Sequence, residues 1–211
     1  MKKFLPAIVV LVVAGALGAL FPPFHIRSLK AVRGAQESRQ FNPAEFAATF
    51  WSGKLLPATE QAAEAATVLE KISSDPQAVR KRFGRTVGVG SSYFLFLRGA
   101  GRIVSVDADS VGLSLKPQGS EPEVVIELGF VFGNAVRDAT GLLNPSSYPN
   151  AQEFNDISAA LNSLVETNVL PQLQQIAKVG GRIQFVGCVE VDDEDQDLKP
   201  LKLVPIVVKP D

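Results

Sequence analysis

The stretch Tyr93-Phe-Leu-Phe-Leu-Arg-Gly-Ala-Gly-Arg-Ile-Val-Ser-Val106 decides the fold. It predicts one long strand, apolar on both faces in its first half and interrupted near its middle by Gly99 and Gly101. Glycine inside a strand pattern is typical of a bulge or a sharp bend, because a residue without a Cβ adopts backbone angles that other residues resist. A strand bent in this way suits a small barrel.

Four further strands and a long helix are predicted after this stretch. Residues 111–115 and 124–132 alternate large apolar residues with small or polar ones, which is the period of a strand with one buried face. Residues 183–191 and 201–209 continue the pattern after the helix, with Gly187 at a second bend. The order strand, strand, strand, helix, strand, strand predicts an α+β fold with a five-stranded OB-fold-like β-barrel and a helix between strands 3 and 4.

The strand at residues 124–132 has the strongest alternation in the chain. Its large residues are Val124, Ile126, Leu128, Phe130 and Phe132. Alternating phenylalanines in an OB-fold could stack on nucleic-acid bases. However, the large residues of one strand are needed to fill the core of a small barrel, so we predict that both phenylalanines are buried.

The helix between the third and fourth strands is predicted to begin at Asn150. The segment Asn150-Ala-Gln-Glu153 supplies a capping side chain and a glutamate at the third helical position. Four apolar residues then follow at spacings of three and four: Phe154, Ile157, Leu161 and Leu164. Pro171 is expected to kink or restart the helix, since proline removes a backbone hydrogen bond and collides with the preceding turn.

Residues 41–90 are predicted to form a helical N-terminal cap, and residues 91–211 the barrel domain. Asn42-Pro43-Ala-Glu45 has the residues of a helix start. A second helix is expected from Ala58 to Ile72, and a third from Asp75 to Gly84. Gly84 is expected to end the third helix in a left-handed backbone conformation. The basic cluster at the end of the third helix consists of Arg80, Lys81, Arg82 and Arg85. These cations could bind a phosphate or a lipid headgroup, but in a last helical turn they are more commonly solvated partners of the helix dipole.

Residues 1–24 are predicted to be a signal anchor or a signal peptide. Two lysines precede an uncharged apolar run at residues 4–24. The length favours an anchor, because the apolar core of a cleaved signal is about 7–15 residues and a bilayer span takes about 20. Residues 25–40 are predicted to be a linker. We expect contact with a bacterial inner membrane through residues 4–24 and a C-terminal domain in the periplasm or outside the cell.

The charge balance argues against a nucleic-acid partner. Lys+Arg number 21 against 22 Asp+Glu, which gives a net charge of −1, whereas non-specific nucleic-acid binding depends on a basic surface. The chain has one histidine and one cysteine, and it contains no template of a triad hydrolase, zinc protease, P-loop or dinucleotide site. We therefore predict that the protein is not an enzyme, needs no cofactor or metal and binds no nucleic acid.

Arg137 and Asp138 are the candidate binding residues that remain. They follow the strand at residues 124–132 and should lie at the rim of the barrel, beside the helix start that contains Asn150 and Gln152. A charged pair at the rim could orient a ligand through the guanidinium donors, or it could be a structural link between the strand end and the helix.

The acidic run from Glu190 to Asp197 is a second candidate ligand set. Asp193, Asp195 and Asp197 alternate like the first ligands of a calcium loop. The run lacks the glycine and the distal glutamate of that motif, so we predict a solvated hairpin tip.

Four stretches are similar to motifs of a known family. They are Phe83-Gly-Arg85, Leu128-Gly-Phe-Val-Phe-Gly-Asn-Ala-Val-Arg-Asp-Ala139, Asn150-Ala-Gln-Glu-Phe-Asn-Asp-Ile-Ser-Ala-Ala-Leu-Asn162 and Gly181-Arg-Ile-Gln-Phe-Val-Gly187. On these residues the chain resembles, from about residue 41 to its end, a bacterial family of predicted periplasmic lipoproteins of unknown function. Members are often encoded beside sugar ABC importer genes, so the resemblance implies an extracytoplasmic domain with an accessory role near transport. It implies no established activity.

One position departs from the family pattern. Members commonly carry a lipobox whose cysteine bears a lipid, and here Leu17-Gly-Ala-Leu20 has a leucine at that place. An apolar anchor is therefore expected instead of a lipid.

The residues and the resemblance together predict an envelope-anchored, non-enzymatic binding or assembly domain. Its partner is expected to be a protein, such as a component of a sugar ABC importer. Two alternatives stay open: a periplasmic small-ligand-binding protein that uses the rim at Arg137 and Asp138, and a nucleic-acid-binding OB module. The sequence predicts no oligomeric state.

Overall fold

The computed structural model describes residues 41–88 and 90–211. The predicted membrane segment, the linker and the lipobox position lie outside the described residues. Within residues 41–88 and 90–211, no helix combines the length and the apolar character needed to cross a bilayer. From Asn42 to Asp211 the helices and the sheet form a single unit.

The first helix begins where the sequence predicts. Helix α1, Pro43–Phe50, is capped by Asn42, whose Oδ1 accepts the Glu45 N–H at 3.2 Å. The chain continues through a π-helical turn at Trp51–Leu55, a helical turn at Leu56–Ala58 and a 3-10 turn at Thr59–Gln61. The predicted cap and proline at this start are therefore confirmed.

The helix predicted from Ala58 to Ile72 is wrong in its first half. Ala63–Glu64 form the short strand β1, and helix α2 covers Ala65–Ser74. β1 pairs in parallel with the strand that holds Arg98, and the Arg98 Nε donates to the Glu64 Oε1 at 2.7 Å. Tertiary contacts of this kind override helix propensity, which is a weak preference even in an alanine-rich segment.

The third helix has the predicted bounds but a different kind of end. Helix α3 covers Pro76–Phe83, and Asp75 caps it. Gly84 ends the helix in an extended conformation, with φ −75° and ψ 144°, so the predicted left-handed stop is wrong. A Cβ on Gly84 would lie 2.5 Å from the Arg80 carbonyl oxygen and 2.9 Å from the Tyr93 ring. Glycine is needed at this position for close packing.

The stretch Tyr93–Val106 forms strand β2, the centre of the sheet. The later strands are β3 at Ser110–Ser114, β4 at Val124–Glu127, β5 at Arg182–Val191, β6 at Leu201–Lys202 and β7 at Val204–Pro210. The hydrogen-bonded order is β6-β4-β3-β2-β5-β7, and β1 pairs with β2 beside this path. The predicted succession of three strands, a helix and two strands is confirmed by β2, β3, β4, β5 and β7.

The last predicted strand is divided in two, and β1 was not predicted, so the described residues form seven strands and the prediction of five is corrected. β6 pairs in parallel with β4, and β7 pairs antiparallel with β5, with Leu203 between them. The pairing with β5 shifts at Gly187, where a bend was predicted. The Leu203 side chain and the Val204 carbonyl occupy the space that a Cβ on Gly187 would need. The segment from β6 to β7 therefore contacts both ends of the strand order, and the sheet curls.

The two glycines of β2 do not form the predicted bulge. β2 pairs with β5 without interruption from Tyr93 to Arg102, and the irregularity lies in its pairing with β3, between Ile103 and Ser105. A Cβ on Gly99 would lie 3.0 Å from the Phe185 ring. Glycine therefore allows close packing against the Phe185 ring on a continuous strand.

Strand β4 is shorter than predicted, which places its phenylalanines in solvent. The Leu128 N–H still donates to the Asp109 carbonyl at 2.7 Å. However, β3 begins at Ser110, so the ladder between β3 and β4 ends at the pair Ser110 and Glu127. Residues 128–134 leave the sheet as a loop, which we call the aromatic loop. Phe130 is 77% exposed and Phe132 is 80% exposed, so the prediction that both fill the core is wrong.

The long helix between β4 and β5 has the predicted start and the predicted interruption. A short helix α4, Ala135–Asp138, and a 3-10 turn, Pro145–Ser147, precede helix α5 at Ala151–Leu164. The Asn150 Oδ1 accepts the Glu153 N–H at 2.8 Å, and the Asn150 Nδ2 donates to the Glu153 Oε1 at 3.2 Å. After a π-helical turn at Val165–Val169, helix α6 at Leu170–Ile176 has Pro171 in its first turn. Both predictions are confirmed.

Candidate functional site

The aromatic loop is held at its middle and at its C-terminal end by carboxylates from other elements. The Val131 N–H donates at 2.7 Å to the Oε1 of Glu166, in the π-helical turn after α5. The Asn134 N–H donates at 2.9 Å to the Oε2 of Glu190, on β5. Hydrogen bonds to an ionised acceptor are roughly twice as strong as neutral ones. The loop backbone is therefore fixed although its aromatic side chains face solvent.

Gly133 provides a third attachment of the loop. Its carbonyl accepts the Asn162 Nδ2 at 3.1 Å and lies 3.1 Å from the Ser158 hydroxyl, which is also 3.0 Å from the Asn134 Oδ1. Ser158 and Asn162 are buried polar residues of α5 that find their partners in the loop. Gly133 has φ +84°, and a Cβ there would lie 2.5 Å from the Glu190 Oε2. Only glycine suits this position.

Phe130 and Phe132 form a pair at the surface of this fixed loop. Their ring centroids are 6.4 Å apart and their planes are inclined by 52°. A cleft of about 170 Å³ adjoins the pair, and residues 203–205 form its apolar wall. Contiguous exposed apolar side chains on a folded domain are typical of an interaction surface.

Arg137 and Asp138 lie on α4, directly after the aromatic loop. They are 5% and 2% exposed. The Arg137 Nε and Nη2 donate to the two carboxylate oxygens of Asp138 at 2.7 and 2.8 Å. The Nη1 donates to the Phe154 carbonyl at 3.1 Å and to the Asn155 Oδ1 at 3.2 Å, and the guanidinium carbon lies 3.8 Å from the Phe154 ring centroid. The pair therefore links α4 to the first turns of α5.

The other two predicted binding residues lie on the exposed side of α5. Asn150 caps the helix, and the Gln152 Nε2 donates to the Asp156 Oδ1 at 2.7 Å. The polar groups of Arg137 and Asp138 are engaged inside the protein, so the four residues present no common polar surface. The binding role predicted for them stays a prediction.

Glu190 is a half-buried carboxylate between the aromatic loop and the Arg137–Asp138 pair. Burial raises its pKa above the ordinary value of a glutamate, and the negative charges of Asp192 and Asp138 raise it further. The Asn134 N–H and the Arg137 guanidinium lower the pKa, but they do not offset the rise. The charged form of Glu190 is therefore less favourable in the folded protein than in the unfolded chain.

We expect Glu190→Gln to stabilise the protein at about pH 7 more than at about pH 4. Because the folded-state pKa of Glu190 is raised, its contribution to stability is present below the unfolded pKa and is lost as the pH rises through the folded pKa. Glutamine keeps a carbonyl that can accept the Asn134 N–H. Thermal unfolding at both pH values measures the difference, with Glu127→Gln in the same cleft as the matched control. An equal effect of Glu190→Gln at both pH values would contradict the expectation.

Sequence reasoning missed the residues that hold the loop, although two signals were present. Ser158 and Asn162 are polar residues four apart on the apolar side of α5, and such a pair indicates a buried hydrogen-bond partner. Gly129 and Gly133 flank the phenylalanines, which favours a loop over a continuing strand. The two carboxylates carried no signal, because only the fold brings them to the loop.

The acidic run ends in a capped helical turn. Helix α7, Glu194–Asp197, is capped by Asp193. The Asp197 Oδ2 accepts the N–H groups of Asp192 and Asp193, both at 3.0 Å, and its Oδ1 accepts the Lys202 Nζ at 3.3 Å. The part of the chain that the structure describes contains no group of three or more His, Cys, Asp and Glu side chains placed to hold a metal ion.

The family model "Predicted periplasmic lipoprotein (DUF2291)" matches residues 8–209 of the chain. The chain belongs to this family. The match confirms the resemblance drawn from the four stretches, one of which contains the aromatic loop and the Arg137–Asp138 pair. Membership of DUF2291 also supports a location in the cell envelope. No curated protein matches the chain.

A solved structure shows the fold class. The crystal structure of an OB-fold protein from Thermotoga maritima superposes with a TM-score of 0.72 at 23% identity, covering 82% of this chain and 100% of that chain. At this identity the similarity shows the fold alone. The OB-fold prediction is therefore confirmed as a fold class, with the strand number corrected as described above.

Proposed function

We propose that this DUF2291 member is an envelope-anchored, non-enzymatic binding or assembly domain whose protein partner docks on the aromatic loop. The observation that supports the proposal is the pair Phe130 and Phe132, which are 77% and 80% exposed on a backbone held by α5, the π-helical turn and β5. An exposed phenylalanine forgoes about 1.5–3 kcal/mol of burial free energy. A partner that covers the pair would recover it.

The partner is proposed to insert an apolar side chain or turn into the cleft beside the pair. Residues 203–205 extend the apolar surface of the loop, and Glu127 and Glu190 border it together with Lys202. Lys202 is paired with Asp197, so the two glutamates give the border a negative character. Protein interfaces commonly combine an apolar anchor with a polar rim. A basic residue next to the anchor would complement these carboxylates.

A transporter component is our proposal for the partner class, and the inner membrane for the location. The uncharged run at residues 4–24 supports an anchor. The resemblance to proteins encoded beside sugar importers supports a partner in transport. The domain from residue 41 onward would then lie in the periplasm or outside the cell.

Catalysis and a cofactor have no part in this proposal. Cys188 is fully buried, and burial raises the pKa of its thiol, which disfavours the thiolate that nucleophilic chemistry needs. The alternative of a small-ligand site at Arg137 and Asp138 has weaker support, because most guanidinium donors are engaged by Asp138, Phe154 and Asn155.

Site-specific photocrosslinking in native membranes tests the proposal. A photoreactive side chain at position 130 of the full-length protein is expected to form an adduct with one membrane-associated protein. The matched control places the same group at position 179, where Val179 is another exposed apolar residue, 65% exposed. If position 130 gives only lipid adducts, or the same protein adducts as position 179, the aromatic loop is not the docking surface.

We expect single-stranded oligonucleotides to bind no better than about 10⁻⁴ M at physiological salt. The exposed phenylalanines could stack on bases, but the chain has a net charge of −1 and Glu127 and Glu190 border the loop. Phosphates would therefore be repelled from this surface. Fluorescence anisotropy with a labelled oligonucleotide measures the affinity. A micromolar dissociation constant for the wild type, together with weaker binding by Phe132→Ala, would indicate that the partner of the aromatic loop is a nucleic acid and not a protein.

A further inference from the structure

The parallel pairing of β4 with the last part of the chain stops at the cleft beside the aromatic loop. β6 pairs in parallel with β4, and the Leu203 N–H then donates to the Val125 carbonyl at 2.9 Å. Two residues further along each segment, the next bond of such a ladder would join an N–H at position 205 to the Glu127 carbonyl. Residue 205 is a proline, which has no backbone N–H. The ladder therefore ends at Leu203.

The backbone of Glu127 faces this interruption. Ser110 and Glu127 lie opposite each other in the antiparallel pairing of β3 with β4, and the Leu128 N–H donates to the Asp109 carbonyl. In an antiparallel ladder this bond makes Ser110 and Glu127 a non-hydrogen-bonded pair, so the N–H and the C=O of Glu127 point away from β3. Among the backbone hydrogen bonds of the described residues, none engages these two groups.

The free backbone edge at Glu127 opens into the cleft beside the two exposed phenylalanines. Glu127, Phe130, Phe132 and residues 203–205 all line this cleft of about 170 Å³. An unpaired strand edge is a template on which another chain can add a strand. The cleft therefore combines an apolar wall with an unpaired donor and an unpaired acceptor of the main chain.

The charges around the free edge are negative. Neither Glu127 nor Glu190 takes part in an ion pair within residues 41–88 and 90–211. Lys202, which also lines the cleft, is paired with Asp197 at 3.3 Å. A basic side chain of a bound segment would therefore meet two carboxylates that have no counter-charge of their own.

We propose that the partner of the aromatic loop binds as an extended segment that pairs with the free edge of β4 at Glu127. This mode of binding, which rests on the function proposed above, places the segment where the ladder from β6 stops. The segment accepts the Glu127 N–H and donates to the Glu127 carbonyl. Side chains alternate along an extended chain, so apolar residues at every second position contact Phe130 and Phe132, and basic residues between them contact the carboxylates.

Binding of a synthetic peptide to the purified full-length protein, solubilised in a non-ionic detergent, tests the proposal. The probe is a fluorescent hexapeptide of alternating valine and lysine, blocked at both ends, whose dissociation constant is measured by fluorescence anisotropy. It is expected to bind more tightly than about 1 mM. One derivative carries methyl groups on the valine nitrogens, and a second carries them on the lysine nitrogens. Alternate N–H groups point to opposite edges of an extended chain, so only one derivative should bind at least about tenfold more weakly.

Two substitutions at position 127 isolate the contribution of the protein backbone. Glu127→Pro removes the N–H, and proline is tolerated at a strand position whose N–H faces away from the neighbouring strand. It should weaken peptide binding at least about tenfold, with a melting temperature close to that of the wild type. Glu127→Gln keeps the N–H and lacks the charge. As the matched control, it should weaken binding no more than about fivefold.

Three results would overturn the proposal. The first is that the unmodified peptide does not bind the wild type more tightly than about 1 mM. The second is that the two methylated derivatives bind the wild type equally well, whatever their affinity. The third is that Glu127→Pro binds the peptide as tightly as Glu127→Gln does. If Glu127→Pro melts well below the wild type, the two methylated derivatives on the wild type decide instead.

Failure of the strand pairing can be told apart from failure of the docking surface. Suppose that Phe130→Ala/Phe132→Ala weakens peptide binding at least about tenfold while the two methylated derivatives bind alike. The aromatic loop would then stay the docking surface, and the strand pairing would be wrong. Conversely, position 130 may give no specific protein adduct in native membranes although one methylated derivative alone loses affinity. The free edge would then bind extended chains, and the proposed protein partner would be wrong.

Discussion

Arg137→Ala is expected to destabilise the protein by about 3–5 kcal/mol and to lower its melting temperature by roughly 6–20 °C. Asp138 is 2% exposed and would lose both hydrogen bonds from the guanidinium. Its carboxylate would stay in the interior without a counter-charge, and the Phe154 carbonyl would lose its donor from Arg137. Removing one partner of a buried pair is costly for this reason. Thermal unfolding measures the loss.

The matched control is Arg98→Ala. Arg98 and Glu64 also form an ion pair at 2.7 Å, but their side chains are 41% and 54% exposed, so its removal should cost about 0–1 kcal/mol. The double variant Arg137→Met with Asp138→Leu should recover part of the Arg137→Ala loss, because no charge is left unpaired. If Arg137→Ala lowers the melting temperature no more than Arg98→Ala does, the Arg137–Asp138 pair is not structural. The two residues would then again be candidates for ligand binding.

Local sequence signals predicted the elements well. The strand at Tyr93–Val106 has the predicted bounds, and the caps at Asn42, Asp75 and Asn150 accept backbone N–H groups as expected. Each of these features depends on residues within one turn or on the alternation within one strand. Interactions between residues that are close in the sequence depend only on a short segment, so the sequence alone could reveal them.

Predictions failed where a distant partner decides the structure. The alternation from Val124 to Phe132 shows which residues share a face, but the length of β4 is limited by β3, which ends the shared ladder at Ser110 and Glu127. Ala63–Glu64 became a strand because Leu97 and Arg98 offered a free backbone edge. Periodicity carries no information on what covers a face or where a neighbouring strand stops.

In the candidate site, too, the sequence predicted contacts between neighbouring residues but not contacts between distant ones. Arg137 and Asp138 are adjacent in sequence, so their pairing could be anticipated, whereas their burial depends on α5. The bonds that fix the aromatic loop join Val131 to Glu166, 35 residues apart, and Asn134 to Glu190, 56 residues apart. No local pattern encodes such pairs. The fold therefore had to be known before the exposed phenylalanines could be recognised as a rigid surface.

The double variant Phe130→Ala/Phe132→Ala is expected to weaken binding of the crosslinked partner by at least about 2 kcal/mol, which is roughly 30-fold. Both side chains project from a backbone fixed by Glu166, Glu190 and Asn162, so little ordering is needed when the partner docks. Because they are 77% and 80% exposed, stability should change by no more than about 0.5 kcal/mol for each substitution. Titration of the purified partner and thermal unfolding on the same preparation separate these two effects.

Two further variants show whether the effect belongs to the aromatic loop. Val179→Ala removes another exposed apolar side chain, 65% exposed, and should leave binding and stability unchanged. Asn162→Ala leaves both phenylalanines in place but removes a buried donor to the Gly133 carbonyl, so it should lower stability and weaken binding through a looser loop. If the double variant binds the partner as tightly as the wild type, the phenylalanines are not the contact and the proposed interface is wrong. If it binds weakly but also melts many degrees lower, the phenylalanines are structural, and the docking surface must be sought elsewhere on the domain.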